Sequence, residues 1–187
     1  FVMHSAPSVA RDSMVRPRYR SSMKRAIAIL LLFVASASHA EVEPSILNPS
    51  GLPIPRYVSL KYDEVNVRVG PGKRYPIRYV YKRVQLPVQV IEEFAHWRRI
   101  ADYEGSSGWV HKGAIDGART AIIMDKAQNL YAKPDATSAN TIRAGKLVIG
   151  TLKRCEPDWC QMKISGRNAW IRKADIWGVT REEVFGE

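Results

Sequence analysis

The sequence predicts an all-β protein made of two small tandem barrels. Beyond residue 56, short runs rich in β-branched and aromatic residues alternate with turn residues, and no apolar run with 3.6-residue spacing is long enough for a substantial helix. One unit of about 60 residues also occurs twice in succession. A chain that short buries only about 60% of its unfolded surface, so a closed sheet without unpaired edges suits it.

The composition is that of a folding chain whose positive charge is unevenly placed. Of the 187 residues, 45% are hydrophobic and 25% are charged, and the formal net charge is +11. The first 40 residues hold six basic residues and one acidic residue. The rest of the chain is therefore only mildly basic, which gives weak support for a polyanionic partner.

The first 40 residues are predicted to lie outside the fold. Residues 23–40 have the pattern of a secretory signal peptide: a cationic start, an apolar run from Ala26 to Ala35, and small residues before cleavage after Ala40. That run is shorter than the roughly 20 residues that span a membrane, and a buried core helix is the alternative. Residues 1–22 are interpreted as an upstream extension. The mature protein is thus expected to be exported, periplasmic or secreted, with no membrane anchor.

Four further segments are predicted in the mature chain. Residues 41–56 contain four prolines, which favour a semi-rigid linker. The first barrel is assigned to residues 57–117 and the second to residues 118–180. Residues 181–187 remain as a C-terminal tail.

The two units align along their length with an offset that drifts from 63 to 61 residues. Coincidence of two tryptophans, spaced 12 residues apart in one copy and 11 in the other, is difficult to obtain by chance. The repeat therefore indicates a duplication. The aligned pairs include Val90 with Leu152, Trp97 with Trp159, Ile100 with Met162, Trp109 with Trp170 and Ile115 with Ile176.

Strand parity separates core residues from candidate surface residues in the first copy. Successive strand residues point to opposite faces, so Trp97 and Trp109 share one side if Ile100 and Val110 fill the core. Outward tryptophans flanked by tyrosines predict an aromatic groove for a ligand. The alternative is that these rings pack the two copies together or cap the barrel ends. The candidate ligand-binding set is Tyr75, Tyr79, Trp97, Tyr103 and Trp109.

The same parity places Met162 and Ile171 inside the second copy and Trp159 and Trp170 outside. Because this copy has fewer tyrosines, packing is the favoured role of its tryptophans.

A glycine-rich loop in the first copy is a candidate wall of that groove. Gly70 and Gly72 on either side of Pro71 permit backbone angles that other residues resist. A loop of this kind beside aromatic rings could shape a peptide groove, and an ordinary tight turn is the alternative.

The motif Asn66-Val67-Arg68-Val69-Gly70-Pro71-Gly72, followed by Trp97 and by Gly108-Trp109-Val110, resembles the signature of bacterial SH3-like (SH3b) domains. The lead-in over residues 51–60 and the closing residues 175–179 resemble an exported proteobacterial subgroup with tandem copies. The second copy departs from the signature, because Lys133 and Asp135 replace the two glycines, and its loop is expected to differ.

The resemblance implies a five-stranded barrel with a short 3₁₀ turn, here near Lys112 to Ile115. Members of the family are usually non-catalytic modules that bind cell-wall peptides or protein partners. No agreed set of ligand residues exists to transfer, so the candidate groove depends on the parity argument.

Cys155 and Cys160 are predicted to form a structural disulfide. They enclose four residues where a hairpin loop joins two strands, and cross-strand Cα distances of about 4.5 to 5.5 Å suit a disulfide. A redox-active pair is the alternative, but it usually has two intervening residues and a helix start. The corresponding residues of the first copy, Glu93 and Arg98, are expected to form at most a weak exposed ion pair worth about 0–1 kcal/mol.

No catalytic residue, metal or cofactor is predicted. Only His96 and His111 remain in the expected mature chain, both are interpreted as solvated, and neither belongs to a nucleophile–base pattern or a ligand set. The neighbouring acids Glu92 and Glu93 are interpreted as solvated too. Basic and aromatic residues together can bind single-stranded nucleic acid, but export argues against that partner, and an anionic cell-wall polymer or acidic partner suits the charge better.

The sequence therefore predicts a non-catalytic exported binding module. Its expected ligand is cell-wall peptide (peptidoglycan) or an envelope protein, held in the aromatic groove of the first barrel. The alternative is an accessory subunit that positions a separate cell-wall hydrolase. The oligomeric state and the packing between the barrels are left open.

Overall fold

The first half of the folded chain is a single antiparallel sheet. The computed structural model describes residues 47–186, so the predicted signal peptide, the upstream extension and the start of the linker lie outside the described residues. The sheet order is β3-β2-β6-β5-β4-β1-β7, and a 3₁₀ turn at Lys112–Ala114 precedes the last strand. The strands are β1 (Arg56–Leu60), β2 (Val65–Arg68), β3 (Ile77–Tyr81), β4 (Pro87–Phe94), β5 (Trp97–Ala101), β6 (Ser107–His111) and β7 (Ile115–Asp116).

The second half repeats this architecture. Its sheet order, β10-β9-β13-β12-β11-β8-β14, is the same as the first, and its 3₁₀ turn at Lys173–Asp175 occupies the equivalent place. The predicted all-β tandem fold and the 3₁₀ turn are confirmed. The strands are β8 (Thr120–Ile123), β9 (Gln128–Tyr131), β10 (Asn140–Ala144), β11 (Ile149–Cys155), β12 (Trp159–Ile164), β13 (Arg167–Arg172) and β14 (Ile176–Trp177).

Each sheet contains two strands more than the five that the family resemblance implied. In the first barrel the long connection between β1 and β4 folds back as the hairpin β2–β3, which adds two strands to the other five. Pairing of Arg68 with Trp109 joins this hairpin to β6. The hairpin is thereby held alongside β6 within the sheet.

The duplication extends to an irregularity in the strands. The pairing of β4 with β5 shifts register between Val90 and Glu92, and the pairing of β11 with β12 shifts between Leu152 and Arg154. A β-bulge adds local bend and twist to its strand. Both barrels therefore bend at the same place.

Strand parity correctly identified the interior of each barrel. Ile100 and Val110 are fully buried in the first core, and Met162 and Ile171 are fully buried in the second. The alternating valines of β2 and β4, which include Val67 and Val88, join the first core.

The two barrels pack against each other through β8. Ile123 lies in the core of the second barrel, whereas its neighbour Ile122 packs into the core of the first. The hydroxyl of Thr120 lies 2.7 Å from the hydroxyl of Ser59 and donates a hydrogen bond to the carbonyl of Gln85 at 2.9 Å. This strand is buried on both faces, so the barrels form one continuous unit.

The predicted disulfide is confirmed. Cys155 and Cys160 pair directly across β11 and β12, their Cα atoms are 4.0 Å apart, and both side chains are fully buried. The bond closes the hairpin at the end of the second barrel.

Replacing both cysteines by alanine is expected to lower the free energy of unfolding by about 2 kcal/mol, because the hairpin loses its loop closure in the unfolded chain. Urea unfolding of the oxidised wild type and of the double variant measures the difference. Reductant should shift the midpoint of the wild type and leave the double variant unchanged. Equal midpoints for the oxidised wild type and the variant would contradict the prediction.

The counterpart of the disulfide in the first barrel is a buried ion pair, so the expectation of a weak exposed pair is wrong. Glu93 is 1% exposed, and its Oε1 lies 3.0 Å from Nε of Arg98 and 2.5 Å from Nη2 of Arg56. Ser50 of the lead-in adds hydrogen bonds to the same carboxylate from its backbone N–H and its hydroxyl. The reason is parity: Arg98 lies two residues before the core residue Ile100, so it shares the inward face.

Candidate functional site

The two tryptophans of the first barrel share a face but differ in exposure. Trp97 lies opposite His111, and Trp109 lies opposite Arg99, on the side away from Ile100. Trp97 is partly exposed, whereas Trp109 is only 8% exposed, so the expectation that both rings project from the surface is wrong for Trp109. Trp109 has strands on both sides, because Arg68 pairs with it from β2.

Trp97 lies at the end of the β4–β5 hairpin, beside the 3₁₀ turn. Its ring meets the ring of His111 edge to face at 5.6 Å, and His96 lies 6.3 Å from His111 between ring centroids. Nδ1 of His111 accepts a hydrogen bond from the N–H of Gly113 at 3.1 Å, which fixes the imidazole. Partial burial, and then the charge of His96, lower the pKa of His111.

Tyr75 lies at the tip of the β2–β3 hairpin. Its ring contacts the guanidinium of Arg74, whereas the ring of Trp97 contacts His111. A Cβ atom on Gly70 would come within 2.6 Å of the Tyr75 ring. Neither Gly70 nor Gly72 has a left-handed backbone. At Gly70 the absent side chain therefore leaves room for the tyrosine ring, and the expectation based on backbone angles is wrong.

The equivalent loop of the second copy keeps the same backbone pattern. Gly72 N–H donates to the carbonyl of Gly70 at 3.0 Å, and Asp135 N–H donates to that of Lys133 at 2.7 Å. The next turn bond, made by Tyr75 in one loop, is made by Ser138 in the other. The expected difference between the loops is therefore one of side chains and not of backbone.

Tyr79 and Tyr103 pack against the first core. The ring of Tyr79 meets that of Tyr81 at 5.2 Å, and the hydroxyl of Tyr81 donates to Oδ2 of Asp102 at 2.7 Å. Burial, followed by hydrogen bonds with the hydroxyl of Tyr79 and with Asp102, raises the pKa of Tyr81 far above its ordinary value. Tyr103 contacts Trp177 of the second barrel, with ring centroids 6.5 Å apart.

The ring contacts of the five predicted residues thus fall into separate groups. Trp97 meets His111, Tyr79 meets Tyr81, and Tyr103 meets Trp177 of the second barrel. Tyr75 lies under the guanidinium of Arg74 at the loop tip, and Trp109 is buried.

In the second barrel, the tryptophan equivalent to Trp97 lies in a more strongly charged setting. Trp159 contacts the ring of Tyr131 at 5.6 Å, and the guanidinium of Arg172 lies 5.2 Å above its indole. Trp170, the counterpart of Trp109, is 7% exposed. Trp159 borders an open cleft, and the contact between barrels that was expected of these tryptophans is made by Trp177, which meets Tyr57 at 5.0 Å.

This Trp159 cleft has a volume of about 500 Å³ and combines apolar and charged walls. The C-terminal tail helps to build it, because the buried ammonium of Lys173 donates to the backbone carbonyls of Arg181 and Glu183 at 3.0 and 2.6 Å. Further along, Phe185 pairs with Cys155 through two backbone hydrogen bonds. The lining side chains include Asp158, Trp159, Arg172, Lys173, Val179 and Arg181.

Sequence reasoning missed this cleft. The alignment of Trp97 with Trp159, with Arg172 and Lys173 adjoining the 3₁₀ turn, was the available signal. No sequence signal indicated that Arg181 contributes to the cleft, because its position depends on how the C-terminal tail folds back.

Within the described part of the chain, no three His, Cys, Asp or Glu side chains are grouped closely enough to hold a metal ion. Residues 47–186 also include no helix that is both long and apolar enough to cross a membrane.

Comparisons with known proteins match both halves of the chain to one family. The model described as "Bacterial SH3 domain" matches residues 61–117 and again residues 125–178. No curated protein is significantly similar to the chain.

Solved structures of two Trichomonas vaginalis proteins, NlpC2 and NlpC1, have 11% and 10% sequence identity to the chain, with TM-scores of 0.31 and 0.32. The matches cover 66% and 68% of this chain but only 48% and 47% of those chains. Likeness at this level supports no conclusion about function.

Proposed function

Because the chain belongs to the bacterial SH3 domain family, we propose that it is an exported, non-catalytic binding module for cell-wall peptide or an envelope protein. Trp97 and Trp159 would provide the contact surface, one on each barrel. The buried disulfide supports an oxidising compartment outside the cytoplasm, where such bonds persist.

One observation carries this proposal. In both barrels the first tryptophan stays partly exposed at the end of the hairpin, beside the 3₁₀ turn, while the second is buried. Tryptophan is enriched among the residues that dominate binding energy, so an indole that stays partly exposed at the same place in both copies is a candidate contact. Burial of Trp109 removes it from the candidate contact surface.

Alanine at Trp97 or Trp159 is expected to weaken retention on purified cell-wall sacculi by about tenfold or more, because each change removes a large apolar contact. A pull-down of the full chain on sacculi measures retention, and circular dichroism checks the fold. Tyr62→Ala is the matched control, since Tyr62 is 50% exposed on a different turn of the first barrel.

Normal retention of both tryptophan variants would show that the contact surface is misplaced. Retention of the wild type only after a cell-wall hydrolase is added would favour the alternative role, an accessory subunit that positions that hydrolase.

A further inference from the structure

We propose that the Trp159 cleft binds the free carboxylate of a peptide C-terminus. This inference rests on the proposed function and narrows it, since it names the group that the second barrel recognises. It also gives the two barrels different specificities.

The charge of the cleft is the first argument. Arg172 and Arg181 both line it, and within residues 47–186 no carboxylate lies within ion-pair distance of either guanidinium. The third cation, Lys173, is already engaged with backbone carbonyls, and this contact holds the backbone of Arg181 at the cleft. Two guanidinium groups therefore remain to meet an anion.

The residue types suit a carboxylate in particular. A guanidinium presents parallel N–H donors that match the two oxygens of a carboxylate, and such charge-assisted pairs are stronger than neutral hydrogen bonds. The guanidinium of Arg172 lies over the indole of Trp159 at 5.2 Å, and this cation–π contact restrains its position before a ligand arrives. The indole and Val179 offer an apolar wall for the side chain that precedes the carboxylate.

Asp158 favours a peptide over a more highly charged anion. Asp158 lines the same cleft, and its negative charge there would repel a phosphate polymer with many negative charges. A peptide instead carries backbone N–H groups that can donate to Asp158 while its terminal carboxylate meets the arginines. The volume of about 500 Å³ lies within the usual range for small-ligand sites.

The first barrel lacks this arrangement. His111 stands where the second barrel has Arg172, and His96 stands where it has Asp158. The Trp97 surface therefore has no permanent cation at the position of Arg172, and it is expected to be indifferent to the terminal carboxylate.

Calorimetric titration of the full chain with paired peptides tests the proposal. N-acetyl-trialanine with a free carboxylate is compared with its C-terminal amide, in an all-L form and in a form that ends in two D-alanines. We expect the amide to bind about tenfold more weakly or worse, and Arg172→Gln or Arg181→Gln to remove this preference. Preference for the D form would point to cell-wall peptide, and preference for the L form to a protein C-terminus.

Arg143→Gln is the control, because Arg143 is an exposed arginine of β10 outside the cleft and the change removes the same charge. Arg172→Lys keeps the charge but not the paired donors, so it should bind between wild type and Arg172→Gln. Equal binding of acid and amide, no binding of either, or an equal loss in Arg143→Gln would overturn the inference. Sacculus retention is scored separately, so the proposed function can stand if only the carboxylate preference fails.

Discussion

Glu93→Gln is expected to lower the free energy of unfolding by about 3–5 kcal/mol, because it leaves Arg98 as an unpaired charge inside the first barrel. The side chain of Glu93 is fully buried and that of Arg98 is 7% exposed. Glu93 also holds Arg56 and Ser50, so one carboxylate joins the lead-in, β1, β4 and β5. Removing its charge weakens all of these contacts at once.

Urea unfolding at neutral pH measures this effect, and the neighbouring residue provides the control. Glu92 pairs with Arg99 at 3.2 Å, but both side chains are about half exposed. Glu92→Gln should therefore change the free energy of unfolding by no more than about 0–1 kcal/mol. Similar small effects for both variants would show that the Glu93 pair contributes little.

The carboxylate of Glu93 should also make the stability of the fold depend on pH in the acidic range. Burial is the largest influence on the pKa of Glu93 and opposes its charge, but hydrogen bonds from Arg56 and Ser50, together with the charge of Arg98, lower the pKa below its ordinary value. Because the pKa is lower in the folded protein, the charged carboxylate stabilises the fold. This stabilisation is complete above the pKa of a glutamate in the unfolded chain, about 4.3, and it is lost as the pH falls through the folded pKa. Wild type should lose more stability than Glu93→Gln in that range.

Ile122→Ala is expected to lower the free energy of unfolding by about 2–5 kcal/mol and to loosen the contact between the barrels. Ile122 belongs to a strand of the second barrel, yet it is fully buried in the core of the first. Truncation leaves a cavity at the point where the two units meet. The first barrel then loses part of its core without any change in its own sequence.

Hydrogen exchange distinguishes this effect from general destabilisation. Ile122→Ala should speed exchange in β1 and β4 of the first barrel, where Val58 and Val88 share its cluster. Ile123→Ala removes a similar volume from the other face of β8, so it should act mainly on the second barrel. Equal protection of the first barrel in both variants would contradict a shared core.

Several features of the fold were accessible from the sequence because they depend on local pattern. Alternation in β2 and β4 identified core positions such as Val67 and Val88. The alignment of the two copies located the hairpin that carries Cys155 and Cys160. The inward position of Glu93 was accessible as well, since Arg98 shares parity with Ile100 and aligns with Cys160, but the pair Glu92-Glu93 resembles a solvated run.

The sequence by itself determined the all-β class, the repeat, the core faces and the disulfide, because each depends on residues near one another along the chain or aligned between copies. Only the tertiary structure decided that Trp109 is buried while Trp97 is not, because parity defines a face and neighbouring strands decide its exposure. It also decided that Ile122, a residue of the second barrel, packs into the core of the first, and that the tail brings Arg181 to the Trp159 cleft. Such contacts join residues far apart in sequence, and no local pattern encodes which distant surface a side chain will meet.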